Sequence, residues 1–127
     1  MPRQAFNSPR LAAPIGPFSQ SVRSGELVFL SGQVGQDPTT KKLAEGGIAG
    51  QARQIFANVS TLLEDLGLGL DDVVKVNVFL TSMDDFGAMN DVYAEQFAAP
   101  YPARTTVAVK ALPMSALVEM EMIARAR

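Results

Sequence analysis

The chain has 127 residues, a formal net charge of −2 and 47% apolar residues, with neither cysteine nor histidine. That length suits one domain, 1–127, with a real core, and the charge argues against nucleic acid or an anionic membrane as partner. Disulfides, thiolate chemistry and the commonest general base and metal ligand are excluded, so any catalysis falls to carboxylates, Arg, Lys, hydroxyls, amides or backbone groups.

In chain order, "MPRQAFNSPRLAAPIG" (1–16) carries no apolar core of a secretory signal, and no apolar run approaches membrane-span length. A cytoplasmic protein is therefore expected. "QSVRSGELVFLSGQVG" (20–35) reads as a β-hairpin turning at Ser24-Gly25. "DPTTKKLAEGG" (37–47) is a loop. From Ile48 the period becomes helical, through Ala52, Ile55, Phe56, Val59, Leu62, Leu63 and Leu66, with Gly67 as the stop. "DVVKVNVFL" (72–80) is a β-branched strand. Asp84 is placed to cap a second helix with the stripe Phe86, Met89, Tyr93 and Phe97. "RTTVAVKAL" (104–112) and "LVEMEMIAR" (117–125) are two strands joined by a turn around Pro113.

The order ββαβαββ predicts an α+β fold, with both helices on one face of a mixed sheet. The other face, carrying Phe29, Ser31, Lys75, Asn77 and Phe79 or their neighbours one register over, is too mixed for a solvated surface. It suggests burial against another chain.

Several residues could carry chemistry. Arg104 opens a β-branched strand; it either reaches water or clamps a carboxylate or phosphate with its planar fork of donors. Glu119 and Glu121 share one strand face, opposite Val118, Met120, Met122 and Ala124. They are a solvated pair, with Glu119 opposite Lys110, or they supply a general base or water-positioning carboxylate. Asn90 lies on the apolar stripe of the second helix and needs partners if buried. "LSGQVG" (30–35) is a bulge, or a backbone that approaches a ligand closely. If 104–112 and 117–125 form a hairpin, roughly 20 Å of strand separates Arg104 from Glu119. A small substrate touching both would then sit between subunits.

Taken together, "APIGPFSQ" (13–20), "SGQVGQDP" (31–38), "DVVKVNVFL" (72–80), "DDFGAMNDVYAEQF" (84–97), "YPARTTVAV" (101–109) and "VEMEMIA" (118–124) resemble the RidA/YjgF family of reactive enamine/imine deaminases. The resemblance implies a chorismate-mutase-like fold in a trimeric, barrel-like assembly with three clefts between subunits. It implies hydrolysis of 2-aminoacrylate-like enamines and imines to 2-keto acids and ammonia, with no cofactor and no metal. On it, Arg104 binds the substrate carboxylate and Glu119 positions the attacking water. Phe18, Ser31, Gly32, Asn90 and Thr106 line the cleft, the last through its backbone N–H. Phe18 stands where active deaminases often carry Tyr, and Thr106 where they often carry Cys. Two other readings stay open: a non-catalytic trimer that binds 2-keto acids or other small carboxylates, and a ribonuclease-like translation inhibitor.

Overall fold

A computed structural model of the chain describes residues 2–127. The strands are β1 (Gln4–Phe6), β2 (Ser21–Ser24), β3 (Leu27–Val34), β4 (Val73–Leu80), β5 (Ala103–Ala108) and β6 (Val118–Arg125). The helices are α1 (Gly47–Asp65) and α2 (Phe86–Gln96). One six-stranded sheet runs in the order β1-β2-β3-β6-β4-β5, and only the β4–β5 pair is parallel. Among the described residues, no helix is long and apolar enough to cross a membrane.

The α+β class and the mixed sheet agree with expectation, and three details differ. β1 is an added edge strand, too short for a sequence pattern. Asp84 does not cap with its side chain. Ser82 does, accepting the Asp84 backbone N–H at 3.1 Å in a short 3-10 turn that leads into α2. The third difference is larger: β5 and β6 are not a hairpin, because β4 lies between them.

The residues explain why. Val118, Met120, Met122 and Ala124 are all buried, as in a central strand with a neighbour on each side, and β6 takes β3 and β4. β5 carries Arg104, Thr105 and Thr106 and occupies an edge. It follows β4 through α2, the kind of crossover that a parallel pair requires. The chain then passes over the end of β4 and returns on its far side. Val109 N–H donates to Leu80 O at 2.7 Å, and Thr81 N–H donates to Leu117 O at 3.2 Å.

The core lies between this sheet and the helices. Ala52, Ile55, Phe56, Val59, Leu62 and Leu63 form the buried stripe of α1, as the helical period requires. They meet Val28, Leu30, Val76, Val78, Val118 and Met120 from the sheet. Phe56, Tyr93 and Phe97 pack as an aromatic trio with centroids 4.8–5.9 Å apart, tying α1 to α2. The opposite sheet face is open. Phe29 is 42% exposed and Val107 40%. Polar pairs cross it: Asn77 Nδ2 donates to Glu121 Oε1, and Lys75 Nζ donates to Thr105 Oγ1, each at 3.0 Å.

Candidate functional site

Glu119 sits on the open face of β6, opposite Val34 and Phe79. β3 bulges beside it. Leu30 pairs with Met122 and Gln33 with Met120, so Ser31 and Gly32 together face the single residue Glu121. The bulge reading of this segment is therefore correct. The carboxylate of Glu119 occupies the space that a Cβ on residue 32 would need. The Ser31 N–H donates to Gln20 O at 2.9 Å, and its hydroxyl donates to Ser19 O at 2.6 Å. These bonds clip the 11–20 segment onto the bulge.

Gln20 holds that segment from within. Its buried Oε1 accepts the Ser8 N–H at 2.7 Å, and its Nε2 donates to Ala12 O at 3.1 Å. The result is a cleft of about 530 Å³ bordered by Phe18, Ser31, Gly32, Glu119, Asn58 and Met114. Phe18 is 52% exposed and presents its ring at the cleft. Asn58 braces the far wall, its Nδ2 donating to Gln36 O at 2.8 Å. Burial in the cleft pushes the Glu119 carboxyl above its ordinary value, and the like charge of Glu121 adds to the rise.

Two expected results follow from this geometry. Gly32→Ala should change the denaturation midpoint little, since the crowding atoms are the end of a flexible side chain. It should nevertheless displace the Glu119 carboxylate and lower turnover at least tenfold, as an ångström-scale misplacement does. Equal turnover in the mutant would mean that the carboxylate position is immaterial. The acid limb of the kcat profile should lie above the ordinary glutamate value of 4.5. Glu121→Gln should move that limb to lower pH by removing the like charge; an unmoved limb would assign it to another group.

A second cluster forms on the helix-covered side. Arg104 and Thr106 share one face of β5. The Arg104 guanidinium carbon lies 4.7 Å from the Tyr93 ring centroid and 5.6 Å from that of Phe86. This cation–π seat holds the fork, and among the described residues no ion pair occupies its donors. Asn90 lies between Phe86 and Tyr93 on α2, one turn from each.

Arg104 and Glu119 cannot meet within one chain, and the reason is not the one the hairpin suggested. Arg104 is level with Val76 and Glu119 with Phe79, on opposite sides of β4. That is about 10 Å along the strands and about 10 Å across them. The two side chains also leave opposite faces of the sheet. The structure thus groups Phe18, Ser31, Gly32 and Glu119 in one place, and Arg104, Asn90 and Thr106 in another.

Sequence reading did not single out Gln20, Asn58, Met114 or Tyr93 as site residues. The first three come together only in the fold, where the Gln20 and Met114 loops pack beside Asn58 of α1. Tyr93 was legible as a core position, but nothing in its spacing marks it as the seat of Arg104. Among the described residues, no group of three or more acidic, His or Cys side chains is placed to hold a metal ion.

The sheet thus carries two separated polar clusters, one around Glu119 and one around Arg104. The chain matches the family model described as Endoribonuclease L-PSP over residues 9–126 and belongs to that family, the RidA/YjgF family. It is 44% identical to the 2-iminobutanoate/2-iminopropanoate deaminase of Dermatophagoides farinae over 122 residues, covering 96% of this chain and 95% of that one. Among solved structures, the yeast protein YEO7 superposes with a TM-score of 0.94 at 40% identity, covering 99% of this chain and 100% of that one. RidA from Psychrobacter gives 0.91 at 43% identity, covering 96% and 98%.

Proposed function

We propose that this protein hydrolyses 2-imino acids to 2-keto acids and ammonia, at sites shared between neighbouring subunits of a homotrimer. One observation carries the reading: a half-buried carboxylate in a cleft and, among the described residues, a guanidinium without an ion-pair partner on an aromatic seat, held on opposite faces of one sheet. A ring of copies supplies each cleft with Glu119 from one subunit and Arg104 from the next, a head-to-tail contact that closes by rotation. The exposed apolar residues Phe29 and Val107 on the open sheet face fit burial in that ring. The deaminase relatives supply the substrate class.

The chemistry needs few groups. The Arg104 fork holds the substrate carboxylate bidentately, with the Thr106 N–H as a further donor. Asn90 lines this half. Phe18, Ser31 and Gly32 line the other and leave room for a water against Glu119. The water oxygen bonds to the carbon of the protonated imine while Glu119 accepts a proton from the water, and the C=N electron pair moves to nitrogen, giving a neutral carbinolamine. Glu119 then returns that proton to the amine, the C–N bond breaks as ammonia leaves, and the carbinol hydroxyl gives its proton to the Glu119 carboxylate as the C=O of the 2-keto acid forms. A carboxyl whose pKa lies above the ordinary range is the better proton acceptor for this step. An enamine such as 2-aminoacrylate enters after tautomerising to its imine.

The test is 2-keto acid and ammonia formation from 2-iminobutanoate generated in situ. Acceleration over spontaneous hydrolysis is expected. No acceleration, with 2-ketobutyrate still bound, would favour the non-catalytic carboxylate-binding trimer.

A further inference from the structure

Tyr93 is buried in the core, 5% exposed, yet its hydroxyl makes no hydrogen bond. Among the described residues, the buried side-chain polar atoms without a partner are the Tyr93 hydroxyl, Asn90 Oδ1 and Thr106 Oγ1. All three belong to the α2 and β5 positions around Arg104. Buried polar groups are ordinarily paired, and leaving one unpaired is unfavourable. Of the three, the Tyr93 and Thr106 hydroxyls can donate to an anion, whereas Asn90 Oδ1 can only accept.

Packing accounts for the Tyr93 ring but not for its hydroxyl. The ring meets Phe56 edge-on and Phe97 at 4.8 Å, and Arg104 sits over it. A phenylalanine would do all of this without a desolvated oxygen. The hydroxyl stays protonated: burial raises its pKa, and the nearby Arg104 charge opposes that only in part. It is thus a donor held beside a fork of donors, the arrangement that suits an anion with two acceptor oxygens.

We propose that the Tyr93 hydroxyl is a ligand-binding group of the Arg104 half-site, donating to the carboxylate that Arg104 holds while the ring fixes the guanidinium plane. The assignment rests on the proposed carboxylate-binding role of Arg104. It gives Tyr93 two separable functions, and Tyr93→Phe removes only one of them.

The experiment compares wild type, Tyr93→Phe and Arg104→Ala by calorimetric titration with 2-ketobutyrate and by thermal denaturation without ligand. Tyr93→Phe should weaken binding about tenfold to a hundredfold, the range of one hydrogen bond to a charged group. Its ligand-free Tm should equal or exceed that of wild type, because an unpaired buried hydroxyl is removed. Unchanged affinity would overturn the proposal. So would a lowered ligand-free Tm, which would mean that the hydroxyl is paired within the fold. Wild-type affinity in Arg104→Ala would instead remove the role of Arg104 on which the assignment stands, so the two failures are distinguishable.

Discussion

Glu119→Gln is expected to lower imine turnover about 10²–10⁴-fold, the usual contribution of a positioned general base. Gln preserves the side-chain shape and can still hold a water, but it cannot accept the proton. Keto-acid binding should survive or improve, because a negative charge near an anionic ligand is removed. Stability should move the other way from turnover. The Glu119 carboxyl is raised in the folded protein by burial and by Glu121. Its contribution to folding is therefore fully present below the unfolded-state pKa and lost as pH rises through the folded-state pKa. At neutral pH the ionised group disfavours folding, and Gln relieves that. Urea midpoints at pH 7 should be equal or higher in the mutant. A fall in stability with turnover intact would make Glu119 a structural residue.

Arg104→Lys is expected to weaken 2-ketobutyrate binding about tenfold to a hundredfold, although the charge is kept. Lys offers a point charge in place of a planar fork, so at least one charge-assisted hydrogen bond is lost, worth roughly 1.5–3 kcal/mol. Its ammonium also gives up the stacked geometry over Tyr93 and Phe86. Arg104 is partly buried, so the cation–π part lies between about 0.5 kcal/mol, as at an exposed site, and about 2 kcal/mol, as at a desolvated one, and the ligand-free protein should lose no more stability than that. Isothermal titration measures the first quantity and chemical denaturation the second. Equal affinity in Lys and Arg proteins would mean that no bidentate contact exists.

What could be read from the sequence follows the range of the interactions. The α1 stripe from Ala52 to Leu63 and the alternation of Val118, Met120 and Met122 against Glu119 and Glu121 are local patterns, so periodicity alone finds them. Strand neighbours are non-local. Pro113 between two strand-like runs looks like a hairpin turn, yet the burial of β6 demands two partners and β5 goes to the edge. The site divides in the same way. Arg104 and Glu119 stand out by residue type in apolar surroundings. The need for Gly32 does not, because it arises from a bulge that brings the Glu119 carboxylate against that backbone. Tyr93 escaped for a related reason: its spacing is that of any core aromatic, and its significance lies in a guanidinium from another element.

The claim that each site is built from two subunits is tested most directly by complementation between two inactive chains. Glu119→Gln and Arg104→Ala proteins are each prepared, mixed, unfolded and refolded together at equal concentration. If Glu119 of one copy works with Arg104 of the next, random ring assembly restores about a quarter of the clefts with both groups intact. Imine hydrolysis near a quarter of the wild-type rate is the predicted result. If both groups served one site within a single chain, no mixture could regenerate it, and activity no higher than that of the separate mutants would contradict the account.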